Sequence, residues 1–229
     1  MSIAFEPLLQ AATDRFGSKK ALQEQMPELR SVAELELISN DRYLSAMCLR
    51  VFRAGMKHSV VDAKWRRFDE VFYNFEPHQL ATLTDEQLEA LMNKDGLIKH
   101  WAKIKSIRTN AQFVLDVSEQ FGSFGHWVAT WPVQDIVGLW AEISKSGAQL
   151  GGKSAPYFLR YVGKDTFIFT GDVIAALTEL DVIDGNAETK ANLASVQKQF
   201  NEWHDETGLP FCYISKILAL SVNQHLPVH

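Results

Sequence analysis

Cysteine is scarce in this sequence: its 229 residues contain only Cys48 and Cys212. The two are far apart and each lies in an apolar, helix-like pattern, so neither a disulfide framework nor a cysteine-based metal motif is indicated. Such low use of cysteine is typical of proteins in a reducing compartment and predicts a cytoplasmic protein.

Long hydrophobic runs are also missing. No apolar segment approaches the roughly 20 residues that a membrane-spanning helix needs, and the N-terminus lacks the pattern of a signal peptide. We therefore expect no membrane partner. The sequence has no surplus of positive charge either, since its net charge is −5. That total argues weakly against nucleic-acid binding, although local basic patches matter more than the sum.

No sustained run alternates as a β-strand would, and almost every segment has the helical period. Asp41 is a plausible N-cap for a helix that stops near Gly55, and Thr84 with Gln87 forms a capping-box pattern. The hydrophobic content of 46% is ample for one domain, or for one domain in two lobes. The sequence thus predicts an all-α protein.

The most informative stretch runs from Ala148 to Leu177. It contains paired glycines, Gly151 and Gly152, followed directly by Lys153 and Ser154. Paired glycines between two helices allow a tight turn, and the backbone N–H groups that begin the second helix can bind a phosphate with help from the helix dipole. We predict that these four residues bind a backbone phosphate; the alternative is a plain turn between helices.

A lone acid, Asp172, follows in the same stretch among apolar residues. A carboxylate in such surroundings must be solvated, paired or put to use. We predict that Asp172 is catalytic; the alternative is a structural N-cap or turn residue.

Two stretches combine basic and aromatic residues. One reads Lys-Trp-Arg-Arg-Phe from residue 64, and the other reads Lys-His-Trp-Ala-Lys from residue 99. Near a phosphate-binding hairpin their basic side chains become candidate phosphate contacts, whereas in isolation each stretch is typical of a solvated helix face around one buried aromatic. The predicted phosphate contacts are Lys64, Arg66, Arg67, Lys99 and Lys103.

Several longer motifs resemble a known family. The segments LRVFRAGM, FYNFEP and LTDEQLEALMNKDGLIKHWAKIKSIRTNA, with Phe124 and Trp127 in SFGHW, resemble the 3-methyladenine DNA glycosylase I family. The glycine pair with Lys153-Ser154-Ala155, followed by Asp172, is similar to the hairpin and catalytic aspartate of the wider helix-hairpin-helix glycosylase superfamily, with a slightly longer spacing. Together the two resemblances cover roughly residues 41–177.

The resemblance implies an all-α, two-lobed helix-hairpin-helix DNA glycosylase-like fold. We expect one lobe at 41–147 and a second lobe formed by 1–40 and 148–229, with the hairpin at 148–160 in the second. The implied activity is hydrolysis of the N-glycosidic bond of an alkylated purine, such as 3-methyladenine, flipped out of double-stranded DNA. Asp172 would stabilise the positive sugar or activate the attacking water.

The sequence departs from the family pattern at several positions. The Cys and His residues that would bind zinc are missing, so we expect no metal and no cofactor. Arg50 stands where the family has a glutamate that hydrogen-bonds the base, and His58 stands where it has a tryptophan. Arg50 cannot accept a hydrogen bond and repels a cationic base. Either the substrate is different, or Asp172 and other groups have taken over the role of the glutamate, or the activity has been lost.

The predicted base pocket contains Arg50, His58, Trp101 and Trp127. Other interpretations of these residues are an ion-paired arginine, a surface histidine and two core tryptophans.

Three hypotheses follow. The leading one is a monomeric DNA glycosylase of base-excision repair. It is expected to be monofunctional, because Lys153 lies in the hairpin motif itself and not where bifunctional superfamily members carry their lysine nucleophile. The second is a non-cleaving relative that binds damaged or distorted DNA. The third is an all-α interaction module with no DNA role, which the acidic net charge would suit.

Overall fold

A computed structural model describes residues 3–222, and every regular element in that range is helical. The described residues contain no strand, so the predicted all-α fold is confirmed. None of the helices in this range is both long and apolar enough to cross a lipid bilayer.

The contacts divide the chain into two compact units. What we call the central unit consists of Arg30–Trp131 and Gly138–Lys164, and the terminal unit consists of Pro132–Val137 with the described parts of Met1–Leu29 and Asp165–His229. The α-helices of the central unit are α3 (Val32–Glu36), α4 (Asn40–Arg53), α5 (His58–Val71), α6 (Pro77–Ala81), α7 (Asp85–Met92), α8 (Trp101–Phe121), α9 (Phe124–Thr130), α10 (Ile136–Ser146, from Gly138 onward) and α11 (Ser154–Tyr161). Those of the terminal unit are α1 (Glu6–Phe16), α2 (Lys19–Gln23), α12 (Gly171–Glu179), α13 (Lys190–Thr207) and α14 (Phe211–Ser221).

Helix α8 organises the core of the central unit. It is 21 residues long and packs against α4, α6, α7 and α9. Ile104, Ile107, Ala111 and Val114 are fully buried at spacings of three and four residues, which is the apolar stripe of an amphipathic helix. The helix ends at Gly122, whose φ of 87° a side chain would disfavour.

An aromatic cluster fills the other side of α4. The ring of Phe52 lies 4.7 Å from that of Phe68, and the ring of Trp65 lies 5.4 Å from that of Phe75. The segment Tyr73–Phe75 turns through the left-handed region, with φ values between 52° and 58°. Helix α5 therefore ends at Val71, and the turn brings Phe75 back into the cluster.

The terminal unit has an aromatic core of its own. The ring of Phe167 stacks 4.3 Å from that of Phe200. The carboxylate of Asp165 accepts hydrogen bonds from the backbone N–H groups of Phe211 (3.0 Å) and Cys212 (2.8 Å), which begin α14. An acid at this position satisfies amides that have no partner within the helix.

Sequence and structure differ in two details. The hairpin at 148–160 belongs to the central unit, whereas the prediction assigned it to the lobe formed by the two termini; the physical reason is that its turn bonds to Asn110 of α8. Helix α4 begins after Ser39, so Asp41 lies in the first turn and is not the N-cap.

The capping box of α7 is confirmed. Thr84 Oγ1 accepts from the N–H of Gln87 (3.3 Å), and Gln87 Oε1 accepts from the N–H of Thr84 (2.9 Å).

Candidate nucleic-acid interface

The predicted hairpin joins α10 to α11 through residues 147–153. Gln149 and Gly152 have left-handed φ values of 63° and 56°. A Cβ on Gly147 would lie 2.6 Å from Leu150 Cδ1 and 2.8 Å from the carbonyl oxygen of Ile143, so no other residue fits there without movement. The tight turn that the glycine-rich sequence predicts is therefore present.

Asn110 of α8 holds the turn in place. Its Oδ1 accepts from the N–H of Ala148 at 2.7 Å, and its Nδ2 donates to the carbonyl oxygen of the same residue at 3.2 Å. Asn110 is fully buried, so these bonds face little competition from water. No sequence motif gave Asn110 a role. Its position in the middle of the apolar stripe of α8 could have indicated one, because a buried amide needs hydrogen-bond partners.

The hairpin exposes backbone groups to solvent but not the hydroxyl group of Ser154. Gly151, Gly152 and Lys153 are exposed, while Ser154 is buried and its N–H donates to the carbonyl oxygen of Gly151 at 3.1 Å. Lys153 is the N-cap residue of α11 and makes no side-chain cap bond. The positive end of the α11 dipole thus faces an exposed glycine turn, which is an arrangement that suits an anion.

Two basic side chains of the first basic stretch, which begins at Lys64, form hydrogen bonds within the protein. Lys64 Nζ donates to the carbonyl oxygen of Gly96 at 3.2 Å, and Arg67 Nε donates to that of Asp95 at 3.1 Å. These two side chains therefore hold the loop before α8. Arg66 is different: its side chain is 93% exposed and lies 3.5 Å from Glu70.

The two lysines that were predicted as contacts in the second basic stretch differ in their exposure. Lys99 is exposed, but Lys103 is buried and its Nζ donates to the carbonyl oxygens of Ala54 (2.6 Å) and Phe52 (3.2 Å) at the end of α4. Burial lowers the pKa of the Lys103 ammonium, and the nearby charge of Arg50 lowers it further. Because this ammonium is buried and two of its three N–H donors are engaged, Lys103 does not enter the proposed interface.

Arg50 and Tyr157 form a pair between α4 and α11. The guanidinium carbon lies 4.8 Å from the centroid of the Tyr157 ring. Burial lowers the pKa of Arg50, the tyrosine opposes that change, and Arg53 adds to it. No sequence motif indicated Tyr157, which lies one helical turn beyond the start of α11.

The remaining pocket candidates have separate surroundings. His58 is exposed at the start of α5. Trp101 is half-buried at the start of α8, with Lys105 Nζ 5.3 Å from its ring. Trp127 is buried among aromatic rings, 5.2 Å from Phe124, and borders a cleft of about 470 Å³. The core interpretation of Trp127 is therefore the better one.

Asp172 lies in the terminal unit, in the first turn of α12. The N-cap of this helix is Thr170, whose Oγ1 accepts from the N–H of Val173 at 3.2 Å, so Asp172 does not serve as the cap. Its neighbours Phe169 and Val173 are buried while Asp172 is exposed. The helix thus projects a carboxylate from an apolar base into solvent.

No cluster of three or more potential metal ligands occurs among residues 3–222.

Comparison with known proteins identifies a family to which this chain is similar. A model of the methyladenine glycosylase family matches residues 36–176, a segment that includes the hairpin, Arg50 and Asp172. DNA-3-methyladenine glycosylase of Haemophilus influenzae is 31% identical over 88 residues, which are 37% of this chain and 48% of the relative. DNA-3-methyladenine glycosylase 1 of Escherichia coli is 29% identical over 82 residues, 36% of this chain and 44% of the relative. The chain therefore spans about half the length of the curated relatives it matches.

Solved structures show the same fold. The 8-oxoguanine DNA glycosylase of Methanocaldococcus jannaschii is 16% identical, with a TM-score of 0.54 over 93% of this chain and 92% of that one. The 3-methyladenine DNA glycosylase I of Staphylococcus aureus is 19% identical, with a TM-score of 0.50 over 67% of this chain and 90% of that one. The fold is thus that of the helix-hairpin-helix DNA glycosylases, and, since the family model covers well over half of its length, the chain belongs to the methyladenine glycosylase family.

Proposed function

We propose that this protein is a DNA glycosylase that hydrolyses the N-glycosidic bond of an alkylated purine in double-stranded DNA. The observation that carries the proposal is Asp172, an exposed carboxylate in the first turn of a helix whose cap is supplied by Thr170. The family match across the hairpin and Asp172 supports it, and the two curated relatives carry the name of that activity.

The proposed reaction requires few catalytic groups from the protein. Once a purine is flipped out of the stack, the barrier lies in the positive charge that develops on the sugar as the base departs. A carboxylate stabilises that charge and can orient or deprotonate the attacking water. Asp172 takes this role in the proposal, and neither a metal nor a cofactor is required.

The hairpin is the proposed anchor on the DNA backbone. The N–H groups of Gly151, Gly152 and Lys153 at the start of α11 bind one phosphate, while Lys99 and Arg66 supply exposed positive charge elsewhere in the central unit. The proposed enzyme acts as a cytoplasmic monomer in base-excision repair and is monofunctional, so it leaves the abasic strand uncut.

The test is release of free base from alkylated duplex DNA. We expect wild type to release base and Asp172→Asn, which keeps the shape but removes the charge, to lose about a hundredfold or more in rate, as expected for a lost electrostatic contribution of this kind. Glu179→Gln is the matched control, because it removes one carboxylate from the last turn of the same helix. Equal rates for wild type and Asp172→Asn would contradict the role of Asp172, and strand cleavage without heat or alkali would contradict monofunctionality.

A second candidate function is favoured by Arg50. Its positive charge opposes a cationic alkylated base, as in a relative that binds damaged or distorted DNA without cleaving it. Tight binding to lesion-bearing duplex, with no base released by wild type from any alkylated DNA, would favour this candidate.

A further inference from the structure

Arg50 is a half-buried cation without an acidic partner. Its Nε is buried and has no hydrogen-bond partner, and no carboxylate pairs with it among residues 3–222. The neighbouring arginine on the same helix shows the contrast: Arg53 Nε donates to Asp62 at 2.8 Å and its guanidinium lies 5.2 Å from the ring of Tyr161. Arg50 has the tyrosine contact but not the acid.

The surroundings of Arg50 add positive charge and no compensating negative charge. Lys103 is close enough for the two cations to interact, and its hydrogen bonds go to backbone carbonyls, which carry no net charge. A half-buried cation without an acceptor is unfavourable, and a ligand that supplied acceptors to the accessible part of the guanidinium would lower that cost. The site therefore suits a neutral or anionic group with lone pairs and opposes a cation.

Arg50 also lies near the proposed anchor on DNA. Tyr157 follows Ser154, the first residue of α11, by three positions, which is about 5 Å along the helix axis. A nucleotide whose phosphate binds at the hairpin would therefore bring its own atoms, or those of its neighbour, within reach of Arg50.

We propose that Arg50, supported by Tyr157, reads the base and selects an uncharged guanine-type purine over an adenine-type or cationic one. Guanine presents two acceptors, N7 and O6, on one edge, and this pair matches the fork of a guanidinium. Adenine presents N7 beside an N6 amino donor, which would face an arginine donor. Within the proposed function, on which this inference rests, the substrate class is a neutral 6-oxopurine lesion.

The experiment measures equilibrium binding to duplexes that differ at one base. One duplex carries 1-methylguanine, which is uncharged and keeps O6 and N7 free; a second carries 3-methyladenine at the same position; a third is undamaged. We expect wild type to bind the 1-methylguanine duplex about tenfold more tightly than the 3-methyladenine duplex, the discrimination of one bidentate contact. Arg50→Gln should bring the two affinities within about twofold of each other, and Arg50→Glu should reverse their order.

The control is Arg53→Gln, which removes a neighbouring arginine from the same helix and should leave the ratio unchanged. Thermal melting of each variant checks that it is folded, and Arg50→Gln decides the matter if Arg50→Glu does not fold. The inference is overturned if wild type prefers 3-methyladenine, or if Arg50→Gln keeps the wild-type ratio. It is also overturned if Arg50→Gln weakens all three duplexes equally with a shallower salt dependence, since Arg50 would then contact a phosphate.

Failure of the proposed function gives a different result. If no base is released but the preference for 1-methylguanine depends on Arg50, the selectivity holds and the glycosylase activity does not. If no variant binds any duplex, both are wrong.

Discussion

Buried polar side chains in the central unit bond mainly to backbone groups of distant segments. The Tyr43 hydroxyl donates to the carbonyl oxygen of Leu35 at 2.9 Å, and Lys103 donates to two carbonyls at the end of α4. Lys103 thereby supplies donors to carbonyls at the C-terminal end of α4, where helix carbonyls lack amide partners. The buried Nε of Arg50 has no hydrogen-bond partner among residues 3–222, and this is the basis for assigning Arg50 to a ligand.

Tyr43→Phe tests one of these bonds and predicts a pH dependence. At neutral pH the change should lower the free energy of unfolding by about 1 kcal/mol, because the carbonyl of Leu35 loses the hydroxyl and keeps only the N–H of Ile38 at 3.3 Å. Burial raises the pKa of Tyr43 above its ordinary value of 10.0, so the folded state keeps the proton above that pH while the unfolded state loses it. Wild type therefore loses stability above pH 10.0 through this group and Tyr43→Phe does not.

The measurement is denaturant unfolding of both proteins from neutral to alkaline pH. The difference between them should narrow above pH 10.0. Tyr73→Phe, at an exposed tyrosine, should match wild type throughout. A difference that stays constant or widens with pH would contradict the assigned cause.

For single residues, the sequence identified candidate side chains better than it predicted their exposure and their partners. It grouped Lys99 with Lys103 because both lie in one basic stretch, and only the first is exposed. The burial of Lys103 depends on carbonyls about fifty positions earlier in the chain, at Phe52 and Ala54, and local periodicity holds no information about them. Asp172 was predicted from its apolar neighbours and from the resemblance to the superfamily's hairpin and aspartate; the structure shows that it is exposed, and its catalytic role stays a prediction.

Among the elements, the hairpin shows how local sequence and tertiary contact combine. Glycines make the turn possible: Gly152 has a left-handed φ, and Gly147 has no room for a Cβ. The turn at the glycine pair was predicted from the sequence, whereas the close packing around Gly147 was not. The attachment of the turn to α8 through Asn110 was not predicted either, and for this reason the predicted lobe boundary at 147 differs from the observed division.

Asn110→Ala should destabilise the protein and uncouple the hairpin from α8. Loss of the amide leaves the N–H and carbonyl of Ala148 without their partner, at a cost of about 2–4 kcal/mol. Affinity for duplex DNA should fall even at temperatures where the variant is folded, because the amides that bind phosphate lose their fixed orientation. Melting curves give the first quantity and DNA titrations give the second.

Asn40→Ala is the matched control for this prediction. Asn40 also joins two segments of the central unit, since its Oδ1 accepts from the N–H of Phe124 at 3.1 Å and its Nδ2 donates to Ser118 at 2.9 Å. It should destabilise the fold without weakening DNA binding by the folded protein. If both variants lose DNA affinity equally, the effect of Asn110 is one of general stability and not of hairpin orientation.

For the whole molecule, the acidic total and the proposed DNA partner are compatible because exposed basic residues can act locally. The net charge of −5 sums over all 229 residues, while phosphate contacts depend on charges within about a Debye length, roughly 8 Å at physiological salt. Much of the basic charge is already engaged in structure: Lys64 and Arg67 hold a loop and Lys103 is buried. A small number of phosphate contacts is therefore expected.

That expectation can be measured as a salt dependence. The logarithm of the DNA-binding constant should fall linearly with the logarithm of salt concentration, with a slope of about 0.9 for each phosphate contacted. Lys153→Gln and Lys99→Gln should each reduce the slope by about one and weaken binding to damaged and undamaged duplex alike, because phosphate contacts carry no base information. Lys198→Gln changes an exposed lysine beside Glu202 on α13 and should leave the slope as in wild type. If the DNA affinity of wild type does not depend on salt, both nucleic-acid functions are excluded and the interaction module remains. If all three variants lose DNA affinity equally, net charge and not the hairpin face governs DNA binding.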